Sequence, residues 1–259
     1  MMSRSRAWLA ILAVTLVGSA AAEISPQDKR SGFEFMSPQT RAMQTDPTSN
    51  PGMLWVLDGE RLWRQPQGSA NKSCESCHGD AAKSMRGVAA RYPAFDEESG
   101  QPLDLARRIN RCRQSRQSAA ALAYESDELL ALTTYVAYQS HGMPITTTPD
   151  SRLQPFIESG RRWYERRLGQ LQLSCASCHD DRWGARLGGS VIPQAHPTGY
   201  PLYRLEWQTV GSLQRRLRGC LVGVRAEPFE FGAPEYVDIE LFLMSRAAGL
   251  KMETPAVRP

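Results

Sequence analysis

Two pentapeptides constrain the fold of this chain more than any other feature: Cys74-Glu75-Ser76-Cys77-His78 and Cys175-Ala176-Ser177-Cys178-His179. Cys-x-x-Cys-His is the attachment sequence of haem c, in which two thiols add to the haem vinyls and the histidine ligates iron. The spacing has a geometric cause. Two intervening residues let both sulfurs reach one edge of the macrocycle and present the adjacent histidine to one face of the iron. Four such thiols also suit a tetrahedral zinc site, and each pair could close as a disulfide, but neither alternative gives His78 or His179 a role. A disulfide across so short a loop adds little stability. The expectation is therefore two covalently bound haem c groups, one held by Cys74, Cys77 and His78 and the other by Cys175, Cys178 and His179. A large apolar macrocycle also completes cores that domains of this size fill poorly alone.

The pentapeptides belong to a longer internal repeat. Gly59-Glu60-Arg61-Leu62-Trp63 precedes the first one by the same distance as Gly160-Arg161-Arg162-Trp163-Tyr164 precedes the second. Further on, Leu105 to Cys112 matches Leu213 to Cys220, each containing Arg-Arg-x-x-x-Cys, and Glu128 to Gly142 matches Glu235 to Gly249. The matched stretches carry apolar residues at helical spacing, and the last pair stops at glycine. Each half thus reads helix, Cys-x-x-Cys-His, loop, helix ending near the spare cysteine, closing helix. This predicts a mainly α fold of two tandem class I cytochrome c-like domains related by internal duplication, at residues 53–145 and 156–259. A Pro- and Thr-rich linker is expected at 146–155, and an irregular extension wrapping a domain or a partner at 23–52.

Residues 1–22 read as a cleaved secretory signal: a basic start with Arg4 and Arg6, an apolar run from Ala7 to Val17, and small residues at Ala20-Ala21-Ala22. The run is shorter than the roughly 20 apolar residues of a membrane span, and no later stretch matches it free of charges. A periplasmic location follows, with no membrane span after cleavage. The net charge is only +4, with two of the arginines in the signal, which gives no footprint for nucleic acid. Lysine is confined to Lys29, Lys72, Lys83 and Lys251, so most of the 31 basic residues are arginines. Arginine forks bind oxyanions well.

The second axial ligand sets haem chemistry, and ordinary electron carriers use Met or His there. Beyond the two attachment motifs only His141 and His196 remain, and they do not occupy matching repeat positions. Met143 sits in a Gly-Met-Pro context suited to a distal loop, but its counterpart is Leu250. Cys112 and Cys220 do recur in register. They either ligate their own irons as thiolates, giving His78 with Cys112 and His179 with Cys220 as axial pairs, or form a disulfide with each other. A thiolate ligand stabilises ferric iron and lowers the potential.

The two Cys-x-x-Cys-His sites with equivalent later cysteines, Gly199-Tyr200-Pro201-Leu202-Tyr203-Arg204, and the tail Cys220-Leu221-Val222-Gly223-Val224-Arg225-Ala226-Glu227-Pro228-Phe229 together resemble the SoxA family. The resemblance covers essentially everything after the signal. It implies the dihaem subunit of a SoxAX cytochrome, an L-cysteine S-thiosulfotransferase that oxidatively joins thiosulfate to a cysteine of the carrier SoxYZ and passes electrons to the single-haem partner SoxX. By that resemblance Cys220 ligates the second haem and carries the sulfur intermediate. Arg216, one helical turn before it, lies on the same face and is suited to hold the sulfonate end. A salt bridge to a haem propionate is the competing role for Arg216, as for its repeat partner Arg108. Arg215 is expected to point elsewhere, with Arg218 and Arg225 as looser candidates, and the first haem is expected to serve a structural or vestigial role. Two other readings are a dihaem electron carrier without substrate chemistry and a dihaem peroxidase.

Overall fold

A computed structural model of the chain describes residues 24–146 and 150–259. The signal expected at 1–22 lies outside these residues, as do 147–149 of the expected linker. Among the described residues no helix is long and apolar enough to cross a membrane.

The chain is mainly helical. Its helices are α1 (Pro38–Thr45), α2 (Met53–Arg64), α3 (Cys74–His78), α4 (Ala81–Ser84), α5 (Leu105–Cys112), α6 (Asp127–Tyr138), α7 (Gln154–Glu165), α8 (Cys175–His179), α9 (Leu213–Gly223) and α10 (Pro234–Arg246). Short antiparallel hairpins join β1 (Ala94–Asp96) to β2 (Gln101–Leu103), β3 (Arg186–Leu187) to β4 (Ser190–Val191) and β5 (Leu202–Arg204) to β6 (Thr209–Gly211). The last strand, β7 (Ala256–Arg258), adds parallel to β5.

Equivalent residues do equivalent work in the two halves. Helix α2 crosses α6 at Gly59, where a Cβ would lie 2.2 Å from the carbonyl oxygen of Ala131; α7 crosses α10 at Gly160, where it would lie 2.0 Å from that of Asp238. Only glycine permits either approach. Ser73 caps α3 and Ser174 caps α8, each accepting a hydrogen bond from the backbone three residues on, and Asp104 and Ser212 cap α5 and α9 in the same way. Left-handed backbone recurs at Asn71 and Gln172, at Ser118 and Arg225, and at Gly142 and Gly249. The two halves then pair with each other through a short antiparallel ribbon: Gly142 N donates to Met252 O (2.8 Å) and Gly249 N to Ile145 O (3.0 Å), while Ile145 N donates to Leu250 O and Met252 N to Met143 O, both at 2.8 Å. Exchanging each residue for its counterpart maps this pattern onto itself. Met244, Ala247 and Met252 of the second half accordingly pack into the same apolar core as Val56, Trp63 and Tyr135 of the first.

Two segments are more ordered than their composition suggests. The stretch 23–52, read as irregular, contains α1, because Ser37 caps the helix and Pro38 occupies its first turn. It is fastened to the second half. Gln194 accepts from Arg30 N (2.7 Å) and donates to Asp28 O (2.9 Å), and Asn50 donates to Pro255 O (2.8 Å). Within 146–155, the Asp150 side chain caps a 3-10 turn at Ser151–Leu153, and α7 starts at Gln154 with Pro155 in its first turn. The second half therefore begins inside the segment read as linker.

Candidate haem and thiolate sites

In the second half, Ser174 and Ser177 form a capping box that fixes α8, and this one short helix carries Cys175, Cys178 and His179. Nδ1 of His179 lies 2.6 Å from the carbonyl oxygen of Pro193. A carbonyl only accepts, so Nδ1 carries the proton and Nε2 keeps a free lone pair. From α9 the Cys220 sulfur stands close enough to the same imidazole to feel it electrostatically. A histidine with a fixed tautomer, a cysteine sulfur facing it, and two unbridged thiols on the adjoining turn fit the donor set of a haem c with histidine and thiolate as axial ligands. All six cysteines are free thiols, so neither the Cys112–Cys220 bridge nor a disulfide within either Cys-x-x-Cys is formed. Among the described residues the four motif cysteines do not converge into a metal-binding cluster either.

Charge around Cys220 is strongly biased. Burial pushes its thiol up, but the neighbouring His179 ring and the positive charges of Arg216 and Arg204 outweigh this, and the thiol sits below its ordinary range. Cys175, buried and close to Cys220, is instead pushed up to about 12. Arg216 is placed as the spacing predicted, and the opposite charge on Cys220 raises it against the effect of burial. Arg204 on β5 is lowered, first by burial and then by repulsion from Arg216. Tyr200 lies within reach of these charges; burial raises its hydroxyl while Arg216 and Arg204 pull it down.

The first-half site differs in its surroundings. Ring centroids of His78 and Trp63 are 5.7 Å apart, and Trp63 Nε1 donates to Gly79 O at 3.1 Å. The counterpart of Trp63, Tyr164, makes the equivalent reach to the Asp180 carboxylate at 2.8 Å. Cys112 ends α5 at the point where the backbone loosens into a π turn, Arg113–Gln117, whereas α9 runs on past Cys220. Arg108, the counterpart of Arg216, donates to Asp96 at 2.8 Å, and Arg111 also pairs with Asp96. The arginine that stands beside a thiolate in one half is thus neutralised by a carboxylate in the other.

The remaining candidates separate cleanly. Arg215 leaves the site, its guanidinium 4.5 Å from the centroid of Trp207, and Arg218 stacks on Phe231 at 4.5 Å. Arg225 is exposed in the left-handed turn that ends α9. His196 bonds through Nδ1 to Arg30 O at 2.7 Å and holds the N-terminal extension, and His141 bonds to Thr254 O at 3.0 Å. Met143 packs toward Gly87, and its backbone pairs with Met252 in the ribbon. The sequence carried Tyr200 and Arg204 only as part of a family-like stretch, with no role in the site, and did not point to the buried Asp180–Arg246 pair (2.6 Å) behind His179. The role of Arg204 was readable from the repeat, since it occupies the place of Asp96.

The SoxA/TsdA cytochrome c domain family matches residues 58–145. The chain is 38% identical over 242 residues to the L-cysteine S-thiosulfotransferase subunit SoxA of Pseudaminobacter salicylatoxidans, covering 93% of this chain and 85% of that one. The chain belongs to the SoxA family. The SoxA of Rhodovulum sulfidophilum is 37% identical over 229 residues, 88% of this chain and 80% of that one. The crystal structure of SoxXA from P. pantotrophus superposes with a TM-score of 0.85 at 33% identity, covering 88% of this chain and 86% of that one. A SoxA-family chain with a cytochrome c domain carries haem c, in agreement with the donor set around His179.

Proposed function

We propose that this chain is the dihaem subunit of a periplasmic L-cysteine S-thiosulfotransferase, and that its sulfur chemistry takes place at Cys220. Two tandem class I cytochrome c-like domains related by internal duplication, 53–145 and 156–259, would each hold one haem c. Their recurring glycine crossings, caps and left-handed turns support that division. Cys74, Cys77, His78 and Cys112 would hold the first haem, and Cys175, Cys178, His179 and Cys220 the second. When bound, haem supplies the one-electron acceptor through which a pair of electrons leaves for a SoxX-type partner.

The observation that carries the reading is the setting of Cys220: against His179, one turn from Arg216, with its thiolate favoured. Oxidative joining of that thiolate to the outer sulfur of thiosulfate forms one S–S bond and releases two electrons, leaving Sγ of Cys220 joined through that sulfur to the sulfonate, Cys220 Sγ–S–SO3⁻. A thiolate of the SoxYZ-type carrier then attacks the sulfur next to the sulfonate and displaces the Cys220 thiolate, as in thiol–disulfide exchange. The net change converts thiosulfate and a carrier thiol into the carrier S-thiosulfonate, one proton and two electrons. Arg216 would hold the sulfonate oxygens by charge-assisted hydrogen bonds.

A plain electron carrier finds less support, because His141, His196 and Met143 are engaged elsewhere. The test is thiosulfate turnover by the haem-loaded complex with its partner and carrier. Cys220→Ser is expected to abolish it, and Cys112→Ser to retain most of it; equal loss in both variants, or none in Cys220→Ser, contradicts the reading.

A further inference from the structure

The place of Asp96 on β1 is taken on β5 by Arg204, that of Arg108 by Arg216, and that of Arg111 by Gly219. In the first half one carboxylate absorbs both guanidiniums. In the second half the carboxylate is gone and a second guanidinium stands in its place. Arg216 has no carboxylate within salt-bridge distance among the described residues. Arg204 has as its only carboxylate partner Glu206, which meets Nη2 at 3.0 Å and is itself 66% exposed, and its guanidinium lies 5.1 Å from the centroid of Trp207, the ring that Arg215 covers from 4.5 Å. Its Nε is buried without any hydrogen-bond partner. Gly219 leaves open space where the first half carries Arg111.

Two guanidiniums brought together in a largely buried place repel each other, and the one carboxylate against them, Glu206, is itself mostly exposed. A buried donor left without an acceptor is costly. Both costs disappear when a small dianion with several acceptor oxygens lies between the two groups.

We propose that Arg204 is a second substrate-binding residue of the Cys220 site, forming with Arg216 a two-guanidinium cradle that selects a small doubly charged sulfur oxyanion. The proposal rests on the reading that Cys220 carries the sulfur chemistry. Arg216, on the helix of Cys220, anchors one edge of the sulfonate, and Arg204 donates to the remaining oxygens from the β5 side. The outer sulfur is left pointing toward the thiolate. Singly charged thiols or uncharged sulfur donors gain less from the second guanidinium, so the cradle favours thiosulfate over them.

The test uses the haem-loaded complex with its partner and carrier. Arg204→Gln should raise the thiosulfate KM about tenfold or more, the cost of one charge-assisted hydrogen bond, with kcat within about twofold of wild type. Arg204→Lys should recover part of that loss. Glu206→Gln, a surface change that removes the competing carboxylate, should lower KM and stands even where Arg204→Gln fails to fold. Arg215→Gln should leave KM unchanged. The visible spectrum and midpoint potential should stay as in wild type across the series. An unchanged KM in both Arg204→Gln and Glu206→Gln overturns the proposal. So does a change in Arg204→Gln that travels with a shifted spectrum and potential, which marks a haem propionate contact. Turnover that survives Cys220→Ser refutes the underlying reading; loss in Cys220→Ser with KM unmoved by Arg204→Gln refutes the cradle alone.

Discussion

Asp96 and Arg204 occupy the same position in the two halves and carry opposite charge, and this difference inverts the charge facing the two cysteines. Around Cys112 the arginines are paired inward to Asp96. Around Cys220, Arg216 has no carboxylate partner among the described residues and Arg204 has only the exposed Glu206. The same helix and the same cysteine position thus support a closed, neutralised site and an open, cationic one.

Asp96 should carry an acid-sensitive share of the first half's stability. Burial raises its carboxyl, but hydrogen bonds from Ser99 and Arg108 prevail and hold it at about 2, below the ordinary 3.8. A depressed carboxyl stabilises the fold above its unfolded value and loses that contribution as pH falls from about 4 toward 2. Asp96→Asn should cost about 2 kcal/mol at neutral pH and flatten the pH dependence in that window. Denaturant melts at pH 7 and pH 3 measure both effects.

The N-terminal extension should loosen on mild acidification. Burial, together with the charges of Arg246 and Lys29, holds His196 at about 4 despite its bond to Arg30 O and the opposing charge of Asp180. A histidine kept neutral contributes fully above its unfolded value of 6.5, and the contribution fades as pH falls toward 4. Hydrogen exchange over residues 24–45 should rise in that window in wild type. In His196→Gln it should be raised already at pH 7 and lose the pH step.

The glycine crossings should tolerate no side chain. An added Cβ at Gly59 or Gly160 meets backbone, at 2.2 and 2.0 Å, and backbone cannot rotate aside. Gly59→Ala and Gly160→Ala should each cost at least the about 1–3 kcal/mol typical of overpacking. Each should also reduce the yield of haem-loaded protein, read by absorbance per polypeptide.

Removing Asp180 should destabilise the second half more than any surface change. Its carboxylate holds both the Tyr164 hydroxyl (2.8 Å) and the buried Arg246 (2.6 Å). Asp180→Asn leaves Arg246 buried and uncompensated, at a cost of about 3–5 kcal/mol. Thermal melts of the holoprotein measure it, and Asp180→Glu should recover part of the loss.

The parts legible in the sequence were those written as local pattern. The two Cys-x-x-Cys-His motifs, the helices around Gly59, Cys112 and their counterparts, and the placement of Arg216 a turn before Cys220 all follow from spacing along one helix. The inter-half ribbon was not legible, because Met143 pairs with Met252 across more than a hundred residues and the hydrogen bonds run through backbone. The role of His196 was hidden for the same reason: its partner, Arg30, lies in a segment whose composition reads as irregular. The cationic character of the Cys220 site required aligning two short strands, which carry too few residues to announce their register.

The most direct test of sulfur chemistry at Cys220 is non-reducing peptide mass spectrometry on periplasmic, haem-loaded protein exposed to thiosulfate, following the Cys220 and Cys112 peptides together. Added sulfur or thiosulfonate on Cys220, with Cys112 unmodified, is the expected result. A Cys112–Cys220 bridge, or equal modification of both cysteines, contradicts it.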